Sequence, residues 1–201
     1  MSPLNELLAQ AGLDAISPEA DGQFSLYLDL LLKWNAKLNL TSIRTSAGIL
    51  ERHFLESIFC ARLLPQNANT LLDFGSGGGF PGVPIAICRP EVAVTLSESQ
   101  GKKAVFLREV VRTLGLNAVV YDGRAESISD RFDAITLRAV DKMAGAVVAA
   151  VGLMAPGGTM LLMIGAADAG SLSDPRLMWD SPVPMPGAQN RVIQAGRRLP
   201  N

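Results

Sequence analysis

The sequence predicts an α/β fold: an open parallel sheet with helices on both faces, preceded by a helical extension. Three observations lead there. From Thr70 onward, short apolar runs alternate with helical segments, as strands do when crossover helices join them. One run, Leu71-Leu72-Asp73-Phe74, feeds a loop in which five of the eight positions from Gly75 to Gly82 are glycine. Such a loop has almost no Cβ atoms and lets the backbone approach a ligand closely. Before residue 66, apolar residues recur at helical spacing instead.

In chain order, Ser17-Pro18 opens a helix, with serine as N-cap and proline in the first turn. Phe24, Tyr27, Leu28, Leu31 and Leu38 then keep one face, widened by Leu30 and Trp34. Inside that leucine-rich stripe, Trp34 is expected in the core rather than stacked on a base. A further helix is expected over 49–64, where Ile49, Leu50, Phe54, Ile58 and Ala61 share a face and Pro65-Gln66-Asn67 ends it. Residues 1–66 thus read as a helical region and 67–201 as the sheet domain, in one compact unit. Strands are expected at 71–74, 92–96, 118–121, 134–137 and 159–164. Helices fill 83–88, 102–114 and 142–154, the second ending at Gly115. A final hairpin from 177–183 and 191–195 is disturbed by prolines at 182, 184 and 186.

A chain of 201 residues supports one well-buried domain with an appendage. Hydrophobic content of 48% with 18% charged residues describes a soluble globular protein. No charged stretch leads into an apolar core near the start, so no signal peptide is expected. The longest uncharged apolar run, Ala144 to Ala155, is shorter than the roughly 18 residues of a membrane span. A cytoplasmic, non-membrane protein follows, expected as a monomer. Cys60 and Cys88 lack metal-ligand spacing and read as small buried apolar groups, with no metal site. A net charge of −1 argues against broad charge-driven nucleic-acid binding. It leaves room for a local basic face: Lys102, Lys103, Arg108 and Arg112 read equally as a solvated helix surface or as phosphate contacts.

Gly77, Gly79 and Gly82 fit the G-x-G-x-x-G spacing of dinucleotide folds, which does not separate a nicotinamide from S-adenosylmethionine. Glu98, 25 residues beyond Asp73, stands where an acidic side chain accepts from both ribose hydroxyls. Two features favour S-adenosylmethionine. It needs no pyrophosphate grip, and Asp73 before the loop suits its ammonium group. Dehydrogenase chains commonly open with the nucleotide strand, whereas here a long helical segment comes first.

Trp34-Asn35, Asn39-Leu40-Thr41, Arg52-His53-Phe54-Leu55-Glu56-Ser57, Asp73 through Pro84, Glu98 through Lys103, Phe106-Leu107, Gly123-Arg124-Ala125-Glu126 and Arg138-Ala139 together resemble the RsmG (GidB) family in order and spacing, over about residues 20 to 165. The resemblance implies a Rossmann-like S-adenosylmethionine-dependent methyltransferase sheet acting on guanine N7 in 16S ribosomal RNA of the small subunit. By position, Gly75, Phe80, Ala125, Glu126 and Arg138 match cofactor contacts, and Glu98 the acidic ribose position. Gly77 and Gly79 join them from the loop. Arg124 and Arg138 match arginines beside the active site, and Lys102-Lys103 a basic pair. Where the family usually reads Leu-Lys-Gly, this chain has Met163-Ile164-Gly165, so a lysine expected to face substrate is apolar.

Guanine N7 exposes a lone pair, so the reaction needs positioning rather than a base. Arginine normally takes N7 and O6 together. Here N7 must stay free, so Arg124 or Arg138 is expected to donate only to O6 or to phosphate. His53, the single histidine, is expected to pack or bridge to Glu56, with substrate contact as the family motif implies. The target base is expected in an unpaired loop. Three alternatives remain at this point: a small nicotinamide-dependent oxidoreductase, an S-adenosylmethionine-binding ribosome-assembly factor without transfer activity, and a small-molecule methyltransferase.

Overall fold

A computed structural model describes residues 1–172 and 174–200. Its helical extension begins with α1 (Pro3–Gln10) and α2 (Pro18–Leu38). The Ser2 and Ser17 hydroxyls cap them, accepting from the N–H groups of Asn5 and Ala20. Next, α3 (Ser46–Ile49) runs through a π turn (Leu50–Phe54) into α4 (Leu55–Arg62). The expected single helix over 49–64 is therefore interrupted. Ile49 and Phe54 are five positions apart and both fully buried, and one wider turn brings that step onto one side.

The sheet contains β1 (Thr70–Phe74), β2 (Ala93–Glu98), β3 (Ala118–Asp122), β4 (Phe132–Arg138), β5 (Met154–Gly165), β6 (Leu177–Trp179), β7 (Val183–Pro184) and β8 (Arg191–Arg198). Helices α5 (Gly82–Cys88), α6 (Gly101–Leu114) and α7 (Met143–Leu153) connect its parallel part. The strand order is β3-β2-β1-β4-β5-β8-β6, with β7 also on β8. Strands β1 to β5 are parallel, and β8 is antiparallel to β5. The expected hairpin forms in pieces. Prolines cannot donate to the ladder, so the outer strand splits into β6 and β7. Its partner β8 is the strand that joins the sheet.

Side chains alternate across the sheet, so β1 sends Leu71 into one core and Leu72 into another. The first core gathers Phe24, Tyr27 and Leu31 of α2, Phe54 of the π turn, Ile58 of α4 and Phe106 of α6. Trp34 packs there against Phe106, ring centroids 5.8 Å apart. The second core lies under α7 (Val147, Ala150, Val151). Cys60 is buried and Cys88 half-buried, both as free thiols. No described helix is long and apolar enough to cross a membrane. The chain adds β2 and β3 on one side of β1 and β4 and β5 on the other. The crevice at the carboxyl ends of β1 and β4 is thus a topological switch point, where open sheets place ligands.

Candidate active site

The glycine loop leaves β1 with Gly75, Gly77 and Gly79 at φ of 75°, 55° and 96°, a region that disfavours a Cβ. It is fastened from both sides. The Ser76 N–H donates to the Ser97 carbonyl (2.8 Å) and the Gly77 N–H to Glu98 Oε2 (2.9 Å). The other Glu98 oxygen accepts the Gln100 N–H at 2.7 Å. From α2, the Tyr27 hydroxyl donates to the Gly78 carbonyl at 2.6 Å. Burial holds that phenol protonated, its pKa far above the ordinary value.

The glycines divide by role. A Cβ on Gly79 would stand 2.7 Å from the Tyr27 hydroxyl, and one on Gly82 2.6 Å from Asp73 Oδ2. Both face the interior, so packing explains why Gly79, read from the sequence as a cofactor contact, lacks a side chain. Around Gly77 a Cβ would meet only the Gly75 carbonyl, at 4.0 Å, and on Gly75 only Val140, at 3.5 Å. This outer side is a backbone cradle that side chains would fill, and it fits a nucleoside-bearing ligand. Asp73 has another job than the one expected. It is 1% exposed, and its carboxylate accepts from the Thr136 hydroxyl (2.8 Å) and the Gly82 N–H (3.2 Å). Its burial, with each oxygen turned to a partner inside the fold, closes the carboxylate off from a ligand's ammonium group. Burial pushes its carboxyl up to about 6, against the opposing pull of those hydrogen bonds and of Arg138.

Beyond β3, the Gly123 N–H donates to the Glu98 carbonyl (3.0 Å), and the Ser97 hydroxyl donates to the Gly123 carbonyl (3.2 Å). These bonds hold the 3₁₀ turn Ala125–Ser127 next to the end of β2. Ala125 is buried, while Arg124 and Glu126 are exposed. The Arg124 side chain makes no hydrogen bond among the described residues. Lys102 and Lys103 lie in the first turn of α6, and Arg108 pairs with Asp122 at 3.0 Å.

A second cluster assembles at the end of β4. The two hydrogens of Arg138 Nη2 are shared among three acceptors, the Arg52 carbonyl (2.8 Å), Glu56 Oε2 (3.0 Å) and His53 Nδ1 (3.1 Å). Because Nδ1 accepts, His53 carries its proton on Nε2, which meets the Thr41 hydroxyl oxygen at 2.7 Å. His53 therefore bridges Thr41 and Arg138, not Glu56 as expected. Burial first, then the charges of Arg138, Arg52 and Arg191, lower its pKa to about 3. Its ring stacks on Phe80 (4.4 Å, 17°), and Phe80 also packs on Tyr27. Phe80 so links the glycine loop to this cluster.

Glu56, 1% exposed, pairs with Arg138, with Arg52 at 3.7 Å and with Arg191 of β8. Burial nevertheless raises its carboxyl above the usual range. Three guanidinium groups thus share one carboxylate, and Arg138 Nη1 is buried without a partner among the described residues. Arg191, Tyr27 and Thr136 were missed by sequence reasoning, and no local pattern marks them. Ala139, just after Arg138, holds a left-handed φ of 50°, a strain that surrounding structure must sustain. The arginines line a cleft of about 480 Å³ that continues over Met163, Ile164 and Asp168.

Solved methyltransferases share this fold. A putative O-methyltransferase from Klebsiella pneumoniae matches with a TM-score of 0.66 at 18% identity, covering 98% of this chain and 96% of that one. TYW2 from M. jannaschii, solved in complex with AdoMet, matches with a TM-score of 0.63 at 14% identity, covering 82% and 81%. The architecture is therefore the Rossmann-like sheet that these methyltransferases share. Ribosomal RNA small subunit methyltransferase G of Xanthomonas campestris pv. campestris (strain B100) is 43% identical over 159 residues, 77% of this chain and 74% of the relative. Its counterpart in Neisseria meningitidis serogroup B is 43% identical over 162 residues, 79% and 76% of the two chains. The family GidB, rRNA small subunit methyltransferase G, matches residues 21–177, and this chain belongs to it.

Proposed function

We propose that the protein transfers a methyl group from S-adenosylmethionine to N7 of a guanine in 16S ribosomal RNA, acting as a cytoplasmic monomer. One observation carries the reading: the cradle at Gly75 and Gly77 lies beside an arginine-lined cleft, with Phe80, His53 and Arg138 in contact between them. Relatives named for the small-subunit ribosomal RNA supply the substrate class.

Gly75, Gly77, Phe80, Ala125, Glu126 and Arg138 are assigned to the cofactor. Glu98 joins them, since a carboxylate has about four acceptor sites and two are taken by Gly77 and Gln100. When bound, S-adenosylmethionine supplies a methyl carbon activated by a positive sulfur. Guanine N7 brings its own lone pair and loses no proton, so this chain has no base to provide. His53 agrees: both ring nitrogens are engaged and the ring is held neutral. Its part is to orient Arg138. The arginines fix the base and its phosphates, with Arg124 at the exposed rim and Arg138 inside. Catalysis is then alignment of nucleophile and methyl carbon.

The test uses small subunits from a host lacking the gene, mapped for N7-methylguanine before and after incubation with the protein and S-adenosylmethionine. Reappearance of one lost modification is expected. An unchanged map, with the cofactor still bound in calorimetry, favours instead an assembly factor without transfer activity, a role consistent with Ile164 in the cleft.

A further inference from the structure

The cleft beside the cofactor cradle carries an acid as well as arginines. Asp168 lies in the 3₁₀ turn Ala166–Asp168 that follows β5, and it lines the same cleft as Arg138 and Arg191. The turn folds back so that Asp168 Oδ2 lies 3.1 Å from where a Cβ on Gly165 would be. Absence of that Cβ keeps the carboxylate clear. Asp168 is exposed, and its carboxylate makes no hydrogen bond or ion pair among the described residues. The arginines of the cleft pair with Glu56 instead, which offsets one of their three positive charges.

The sheet order sets a direction along this cleft. The glycine loop lies on the β1 side of β4, and Asp168 follows β5 on the other side. A guanine accepting a methyl group at N7 turns that edge toward β1. Its N1–H and 2-amino group, both donors, are across the ring and face the end of β5. A carboxylate accepts both together, whereas adenine offers an acceptor at N1. Met163 and Met185 give the cleft apolar, adaptable walls for a flat ring. We propose that Asp168 is a specificity-determining residue that reads the N1–H and 2-amino groups of the target guanine. This rests on the methylation reading above and adds the group that selects the base.

The test compares wild type with Asp168→Asn on small subunits rebuilt with guanosine, inosine or adenosine at the target position. Inosine lacks only the 2-amino group. Wild type is expected to favour guanosine over inosine by roughly 10- to 100-fold in kcat/KM. The variant should lose a similar factor on guanosine and little on inosine, with its affinity for S-adenosylmethionine unchanged in calorimetry. Equal effects on both bases, or none, overturn the assignment. A wild type that methylates no guanosine at all overturns the methylation reading first, and this inference with it.

Discussion

At the scale of single residues, burial governs the chemistry. His53 resists protonation because it is buried among guanidinium groups, its pKa lowered from 6.5 to about 3. The unfolded chain takes up this proton below about pH 6.5, while the native state refuses it until about pH 3. Stability from His53 is therefore complete above pH 6.5 and declines as pH falls from there. A His53→Gln variant should lose that slope, so its urea midpoint should fall less than wild type's between about pH 7 and pH 5. Parallel curves would show that His53 is not held neutral. Gly82 makes the opposite kind of demand, for space. A methyl group there would stand 2.6 Å from Asp73 Oδ2, so Gly82→Ala should cost about 1–3 kcal/mol in denaturant unfolding. Of the residues picked from the sequence, Gly77 and Glu98 meet directly, as do His53 and Arg138. Asp73 was legible as an important carboxylate but not in its role. Being acidic and next to a glycine loop does not reveal that Thr136, 63 residues away, takes one of its oxygens.

At the scale of elements, the helical extension reaches the glycine loop through a hydrogen bond from Tyr27. Tyr27 on α2 fixes the Gly78 carbonyl across 51 residues of chain. Tyr27→Phe leaves that carbonyl buried and unpaired, so about 1–3 kcal/mol of stability should be lost. Calorimetry should also show affinity for S-adenosylmethionine weakened by roughly tenfold. A loss of stability with unchanged affinity would reduce Tyr27 to a packing residue. Elements defined by their own composition were legible: the five parallel strands are apolar runs, and α6 and α7 follow the pattern of their own side chains. The π turn at 50–54 was not, because it depends on a burial site shared with neighbours distant in sequence, whereas the prolines already marked the outer strand that divides into β6 and β7.

At the scale of the whole molecule, the extension is one wall of a shared core. Leu71, Leu96 and Leu161 of the sheet pack in one cluster with Phe24, Tyr27, Leu31 and Phe54. Residues 1–66 and 67–201 are therefore proposed to fold as one cooperative unit. A chain starting at residue 67 would expose that face of the sheet. It should show no cooperative thermal transition by circular dichroism, and a sharp melt would contradict the proposal. The two halves of the site differ in how the chain builds them. Gly77, Glu98 and Gly123 join through neighbouring parallel strands. The arginine array draws on the π turn, β4 and β8 around Glu56 of α4, with Arg191 supplied by the strand held on the far side of β5. Fraying of that outermost ribbon, which costs less than global unfolding, would leave the glycine loop standing while removing Arg191 from the arginine array. Under the proposed function, occupancy by the methyl donor and competence toward nucleic acid would then be partly separable states of a single polypeptide, coupled through Arg138.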